Sequence, residues 1–274
     1  MKVIDTHAHY DHKQFDTDRD IVLSNLPNSG VKFVVNVGSS MESTLASINL
    51  AKKYPHVYAT VGVHPHYTSS FEMDFSGEFD DDEGEHTIAA SASLQELEKL
   101  AKGKKIVAFG EIGLDFFHNF SPPDVQRKWF RKQLELAVDL ALPVVIHSRD
   151  ANDEVYSVVK DSSARRGVIH SFSGDAGLAE KYIELGFFIG IGGVVTFKKA
   201  ELLKETVKKI PLSKIVLETD CPYLAPAPFR GKRNDSEKLF HVAWEIAKIK
   251  GVSINSVYDE TTKNAETLFL LPKQ

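Results

Sequence analysis

A chain of 274 residues with 42% hydrophobic and 26% charged side chains is ordinary globular material, which sets disordered and fibrous classes aside. Its 33 Lys and Arg against 38 Asp and Glu leave a formal charge of -5, so no protein-wide basic field draws in nucleic acid and any phosphate binding must be local. The single cysteine, Cys221, excludes an internal disulfide and a cysteine-only metal site, and no apolar leader or stretch of about 18 uninterrupted apolar residues occurs, so a cytoplasmic protein without membrane attachment is expected.

Short apolar, β-branched runs alternate with segments of helical period along the chain. The first run, 3–4, is followed by a helical segment at 18–26, and the second, 31–37, by one at 40–53. The third, 57–63, leads into residues 68–92, where Glu78-Phe79-Asp80-Asp81-Asp82-Glu83-Gly84-Glu85 is acidic and without period; this is read as a solvated excursion at the rim. A helix at 93–102 and a run at 106–109 come next. Over 125–141, Val125, Trp129, Phe130, Leu134, Ala137, Val138 and Ala141 share one helical face, with Pro122 and Pro123 before it and Pro143 after it. Runs at 144–146, 168–169, 187–191 and 215–217 complete the series, with helices at 176–185, 200–210, 235–250 and Ile254–Phe269. Eight runs in βα alternation predict a TIM-type (β/α)8 barrel, an α/β fold in which residues 1–274 form a single domain, and about 250 residues is the usual size of such a barrel.

The first strand ends in Asp5-Thr6-His7-Ala8-His9. Strand side chains alternate, so His7 and His9 point to one side and make a two-imidazole pincer for a divalent ion. Alone, His-x-His is a weak signal. Glu111, His147, His170 and Asp220, however, each follow one of the apolar runs, at the strand ends that converge on one mouth of a barrel. Four histidines and two carboxylates exceed one tetrahedral ion but suit two ions about 3.5–4 Å apart, with Glu111 as the bridge. Such a pair brings a shared water toward neutral pKa, with Asp220 as both ligand and general base. His64 and His66, in Gly62-Val63-His64-Pro65-His66, share the mouth, and His64 is expected to contact substrate or a labile metal. His12, His56, His86, His118 and His241 are assigned ordinary surface or packing roles. Arg149, two residues after His147, points the same way and suits an anionic substrate oxygen, while Arg230 and Lys232 in Phe229-Arg230-Gly231-Lys232-Arg233-Asn234 form a local basic clamp after the eighth strand.

These segments, with Gly110-Glu111-Ile112-Gly113-Leu114-Asp115, Pro143-Val144-Val145-Ile146-His147-Ser148-Arg149, His170-Ser171-Phe172-Ser173-Gly174 and Leu217-Glu218-Thr219-Asp220-Cys221-Pro222-Tyr223-Leu224, resemble the TatD-related deoxyribonuclease family of the amidohydrolase superfamily. They stand in the family's order and span nearly the whole chain. The resemblance implies hydrolysis of DNA phosphodiesters dependent on two divalent ions, Mg²⁺, Mn²⁺ or Zn²⁺, with 3′ to 5′ exonuclease action at 3′ ends or single strands. It places the metal positions on His7, His9, Glu111, His147, His170 and Asp220. Asn234-Asp235-Ser236 departs from the family's usual Asn-Glu-Pro, and no bridging Lys stands where Glu111 does. The same activated water would serve an amidohydrolase acting on a small lactone, amide or phosphoester, and this is the alternative reading. No feature marks an obligate protein partner.

Overall fold

The computed structural model describes residues 2–71 and 94–273. Eight parallel strands lie in sequence order: β1 Val3–Ala8, β2 Val31–Asn36, β3 Val57–Val61, β4 Ile106–Asp115, β5 Val144–Arg149, β6 Gly167–Ile169, β7 Phe188–Ile191 and β8 Ile215–Leu217. Backbone bonds tie the last strand region to the first: the Asp220 amide donates to the His7 carbonyl at 2.9 Å and the His9 amide to the Cys221 carbonyl at 2.8 Å. The chain is therefore a TIM-type barrel, as its apolar runs predict.

The helices are α1 Arg19–Asn25, α2 Met41–Lys53, α3 Leu94–Ala101, α4 Pro123–Asp139, α5 Asn152–Asp161, α6 Ala176–Glu184, α7 Glu201–Lys209, α8 Leu239–Lys250 and α9 Ile254–Phe269. α5 is absent from the sequence reading. It buries only Val155, Val158 and Val159, and three β-branched residues in a short segment give a poor helical signal. The excursion expected at 68–92 lies largely outside the described residues; Thr68 to Phe71 belong to the 3₁₀ run Pro65–Phe71. Among the described residues, no helix is long and apolar enough to cross a membrane.

Two apolar layers position the site. One packs strand residues such as Val34, Val61, Phe109, Ile146, Ile169 and Leu217 against the helices. The other joins Ile4, Val35, Val145, Val168, Phe188 and Val216 to Ala265, Leu268 and Phe269, so it fills the barrel interior and α9 closes its floor. The strand period of two then dictates what stands above that floor. Residues two further along from Val145, Val168 and Val216 are His147, His170 and Glu218, and Asp220 follows Glu218 by two more.

Candidate metal centre

β4 and β5 run further than their apolar stretches, so Glu111 and His147 lie within strands, not just past their ends as the sequence reading had them. Inward-facing polar residues continue the ladder where hydrophobicity stops. Gly113 is required at this seam: its φ is 150°, and a Cβ there would collide with the His147 carbonyl oxygen of the neighbouring strand. β3, conversely, ends at Val61; His64 follows on irregular chain and His66 lies in the 3₁₀ run Pro65–Phe71.

The structure brings the six predicted residues together. His7 Nε2 faces His9 Nε2 at 3.1 Å. It also lies 3.4 Å from Glu111 Oε2 and 3.8 Å from Asp220 Oδ1. His9 Nε2 is 3.3 Å from Asp220 Oδ1. The other oxygen of Glu111, Oε1, meets His147 Nδ1 at 2.8 Å. His170 Nε2 completes the cluster, 3.9 Å from Glu111 Oε1 and 3.7 Å from Asp220 Oδ1.

Three of the four imidazoles, those of His9, His147 and His170, are oriented from behind. His9 Nδ1 donates to the Val37 carbonyl at 3.0 Å, which turns Nε2 toward Asp220. His147 Nε2 points at Asp115 Oδ2, 3.2 Å away. His170 Nδ1 points at Glu218 Oε2, also 3.2 Å away. Asp115 and Glu218 are buried carboxylates that the sequence reading passed over. The signal was present in spacing, because Asp115 is four residues and Glu218 two from a predicted ligand on the same strand or its extension. Asp220 sits at φ 57° on a loop held by Asn234, whose amide donates to the Thr219 and Tyr223 carbonyls at 2.9 and 2.8 Å. Thr219 in turn donates through its amide and hydroxyl to Asp5, at 3.0 and 2.6 Å.

Electrostatics favour cations at this point. Burial opposes ionisation of Glu111, yet His7 and His64 hold its carboxyl well below the usual range. Burial likewise opposes charge on His9 and His170, but Asp220 lifts His9 to about 9 and Glu218 lifts His170 to about 10. Protons thus gather where buried carboxylates need positive charge, and a divalent ion meets the same need. Two imidazole nitrogens facing each other at 3.1 Å, each flanked by a carboxylate oxygen, are the donor set of such an ion. The residues present fit a divalent metal.

His64 Nε2 is 3.8 Å from Glu111 Oε1, and His64 Nδ1 accepts the His66 amide at 3.1 Å. That bond places the neutral ring's proton on Nε2 and makes it a donor toward the cavity. The cavity, about 870 Å³, is lined by His9, His64, Glu111, His147, Arg149, His170 and Asp220, with Tyr67, Lys199, Tyr223 and Leu224 at its edges. Arg149 is exposed there, stacked 4.8 Å from the Phe117 ring centre. Arg230 and Lys232 are not among the residues lining it. Arg230 stacks on Phe197 at 4.3 Å, and their neighbour Arg233 is committed to Asp18 through bonds of 2.7 and 2.6 Å. His12, His66 and His118, assigned surface or packing roles or left open from sequence, also line the cavity. His86 lies outside the described residues.

A family model described as TatD related DNase matches residues 4–270. An uncharacterized metal-dependent hydrolase, YabD of Bacillus subtilis, is 36% identical over 269 residues, covering 97% of this chain and 98% of that protein. The 3′-5′ ssDNA/RNA exonuclease TatD of Erwinia tasmaniensis is 33% identical over 266 residues, covering 94% and 96%. Among solved structures, the TatD homologue YjjV of Escherichia coli superposes with a TM-score of 0.86 at 30% identity, covering 98% of each chain.

Proposed function

The chain belongs to the TatD-related DNase family of metal-dependent hydrolases, and from that premise we propose that it is a deoxyribonuclease that removes nucleotides from 3′ ends of single-stranded DNA. The observation that carries a two-ion reading is Glu111, whose Oε2 faces His7 at 3.4 Å while its Oε1 faces His147 at 2.8 Å. A carboxylate presenting its two oxygens to different histidines is the natural bridge between neighbouring cations. His7, His9 and Asp220 would hold one ion with Glu111, and His147 and His170 the other. Bound Mg²⁺, Mn²⁺ or Zn²⁺ would acidify the attacking water and offset charge on the phosphoryl oxygens.

The side chains supply the rest. Asp220 accepts the proton of the attacking water; His9 and His170 outweigh its burial and hold its carboxyl below the ordinary value, so it is ionised and ready. His64 Nε2–H and the Arg149 fork donate to non-bridging oxygens of the scissile phosphate, fixing it for in-line attack. Arg230 and Lys232, away from the cavity lining, reach phosphates further along a polymer. The lone buried Cys221 suits a reducing compartment, which supports our reading of a cytoplasmic enzyme whose residues 1–274 act as one unit.

Digestion of a 5′-labelled single-stranded oligonucleotide, with divalent metal and with EDTA, tests the reading. Stepwise shortening from the 3′ end that EDTA abolishes is expected. Intact oligonucleotide under all metals, alongside rapid opening of lactones or amides, would overturn it in favour of a small-molecule hydrolase.

A further inference from the structure

We propose that His66, Asp115 and His118 form a separate site for a divalent transition-metal ion beside the main centre. Three imidazoles converge on one carboxylate oxygen: Asp115 Oδ2 lies 2.8 Å from His66 Nε2, 3.0 Å from His118 Nδ1 and 3.2 Å from His147 Nε2. The other oxygen, Oδ1, already accepts the Phe117 and His118 amides at 3.1 and 2.8 Å. Oδ2 is therefore oversubscribed. With His147 serving the main centre through Nδ1, its Nε2 bears the proton and takes one lone pair of Oδ2. The remaining lone pair points between two imidazole nitrogens, and a cation there accepts all three pairs at once.

The ligand atoms of His66, Asp115 and His118 lie within 4.8 Å of one another. A four-coordinate ion with bonds of about 2.1 Å spaces its ligand atoms roughly 3.4 Å apart, so the two Asp115–histidine contacts need open by only about half an ångström. The main chain that carries the carboxylate is anchored. The Asp115 amide donates to the buried Gln126 side chain at 2.8 Å, and Gln126 Nε2 returns a bond to the Asp115 carbonyl at 3.0 Å. Asp115 is 1% exposed, whereas the side chains of His66 and His118 are 22% and 38% exposed, so ion and solvent have access. All three residues line the same cavity as the main centre, which leaves the open coordination positions facing bound substrate or water. Two nitrogens and one oxygen favour Zn²⁺ and its neighbours over Mg²⁺ or Ca²⁺.

Equilibrium dialysis of Zn²⁺ against the chelator-stripped full chain tests the site, with bound metal counted by mass spectrometry. His118→Ala and His66→Ala should each bind one equivalent less than the unaltered protein, with the weakest binding step missing in both. His118→Cys, which restores a metal ligand without restoring the imidazole, should regain that equivalent. Unchanged stoichiometry in His118→Ala, loss of more than one equivalent, or no recovery in His118→Cys while its unfolding midpoint stays normal would each overturn the proposal. The readout is a difference in bound metal, so it stands or falls independently of whether the chain degrades DNA.

Discussion

Glu218 stands 3.2 Å from the outer nitrogen of His170, and so turns His170 Nε2 toward Asp220. The carboxylate is 1% exposed and also accepts the Ser171 amide at 2.6 Å. Room for it comes from Gly190 on β7, where a Cβ would collide with the carboxylate. A partner of this kind fixes the tautomer of a ligating histidine and raises its basicity. Glu218→Gln is expected to weaken metal binding by about 10–100-fold. Gly190→Ala, which displaces the carboxylate without removing it, should move metal affinity the same way. Metal titrations check both, and normal affinity in the two variants would deny Glu218 this positioning role.

Removing the metal should destabilise the fold as well as stop hydrolysis. Glu111 and Asp220 are held among four histidines, and ions that bind this arrangement and not the unfolded chain add stability by mass action. At metal concentrations about 100 times the dissociation constant the gain is about 2.7 kcal/mol per site. For a chain of this size that corresponds to a fall of about 5–10 °C in unfolding midpoint on stripping. Calorimetry before and after chelation, with readdition of metal, measures it; an unchanged midpoint would count against metal binding at these residues.

Much of this was legible in sequence, for physical reasons that also mark where legibility stops. Strands buried on both faces read as continuous apolar runs, so all eight are visible. β4 and β5 extend beyond their runs because Glu111, Asp115 and His147 carry the ladder on with polar side chains, which hydropathy cannot see. The proposed ligands are legible because alternation puts His147, His170 and Asp220 in register above Val145, Val168 and Val216. Asp115, Glu218 and His118 were missed because their meaning lies in which histidine nitrogen each one faces or offers, and that is fixed only by the folded chain.

Asp220→Asn separates catalysis from metal binding. The amide keeps one ligating oxygen and the loop contacts, because neither the Asp220 backbone bond to His7 nor the brace from the Asn234 side chain to the Thr219 and Tyr223 carbonyls uses the Asp220 side chain. It cannot take a proton at neutral pH. Turnover should fall by about 100- to 10,000-fold with metal content largely retained. Nucleotide release and bound metal, measured on one preparation, decide the matter: full turnover would remove Asp220 from the base role.

Arg149 and the Arg230–Lys232 pair should separate by substrate length. Arg149 reaches the cavity from the end of β5 and rests on Phe117, whereas Arg230 rests on Phe197 and neither it nor Lys232 lines the cavity. Arg149→Ala should raise KM about 10-fold for a dinucleotide and a long oligonucleotide alike, since both present the scissile phosphate. Arg149→Lys should recover little, because a point charge lacks the two parallel donors of the guanidinium. Arg230→Ala combined with Lys232→Ala should leave the dinucleotide unaffected and weaken only the longer substrate, with a shallower dependence of KM on salt as phosphate contacts are lost. Equal penalties on both substrates would instead bring Arg230 and Lys232 to the scissile phosphate, through a movement of their loop toward Asp220.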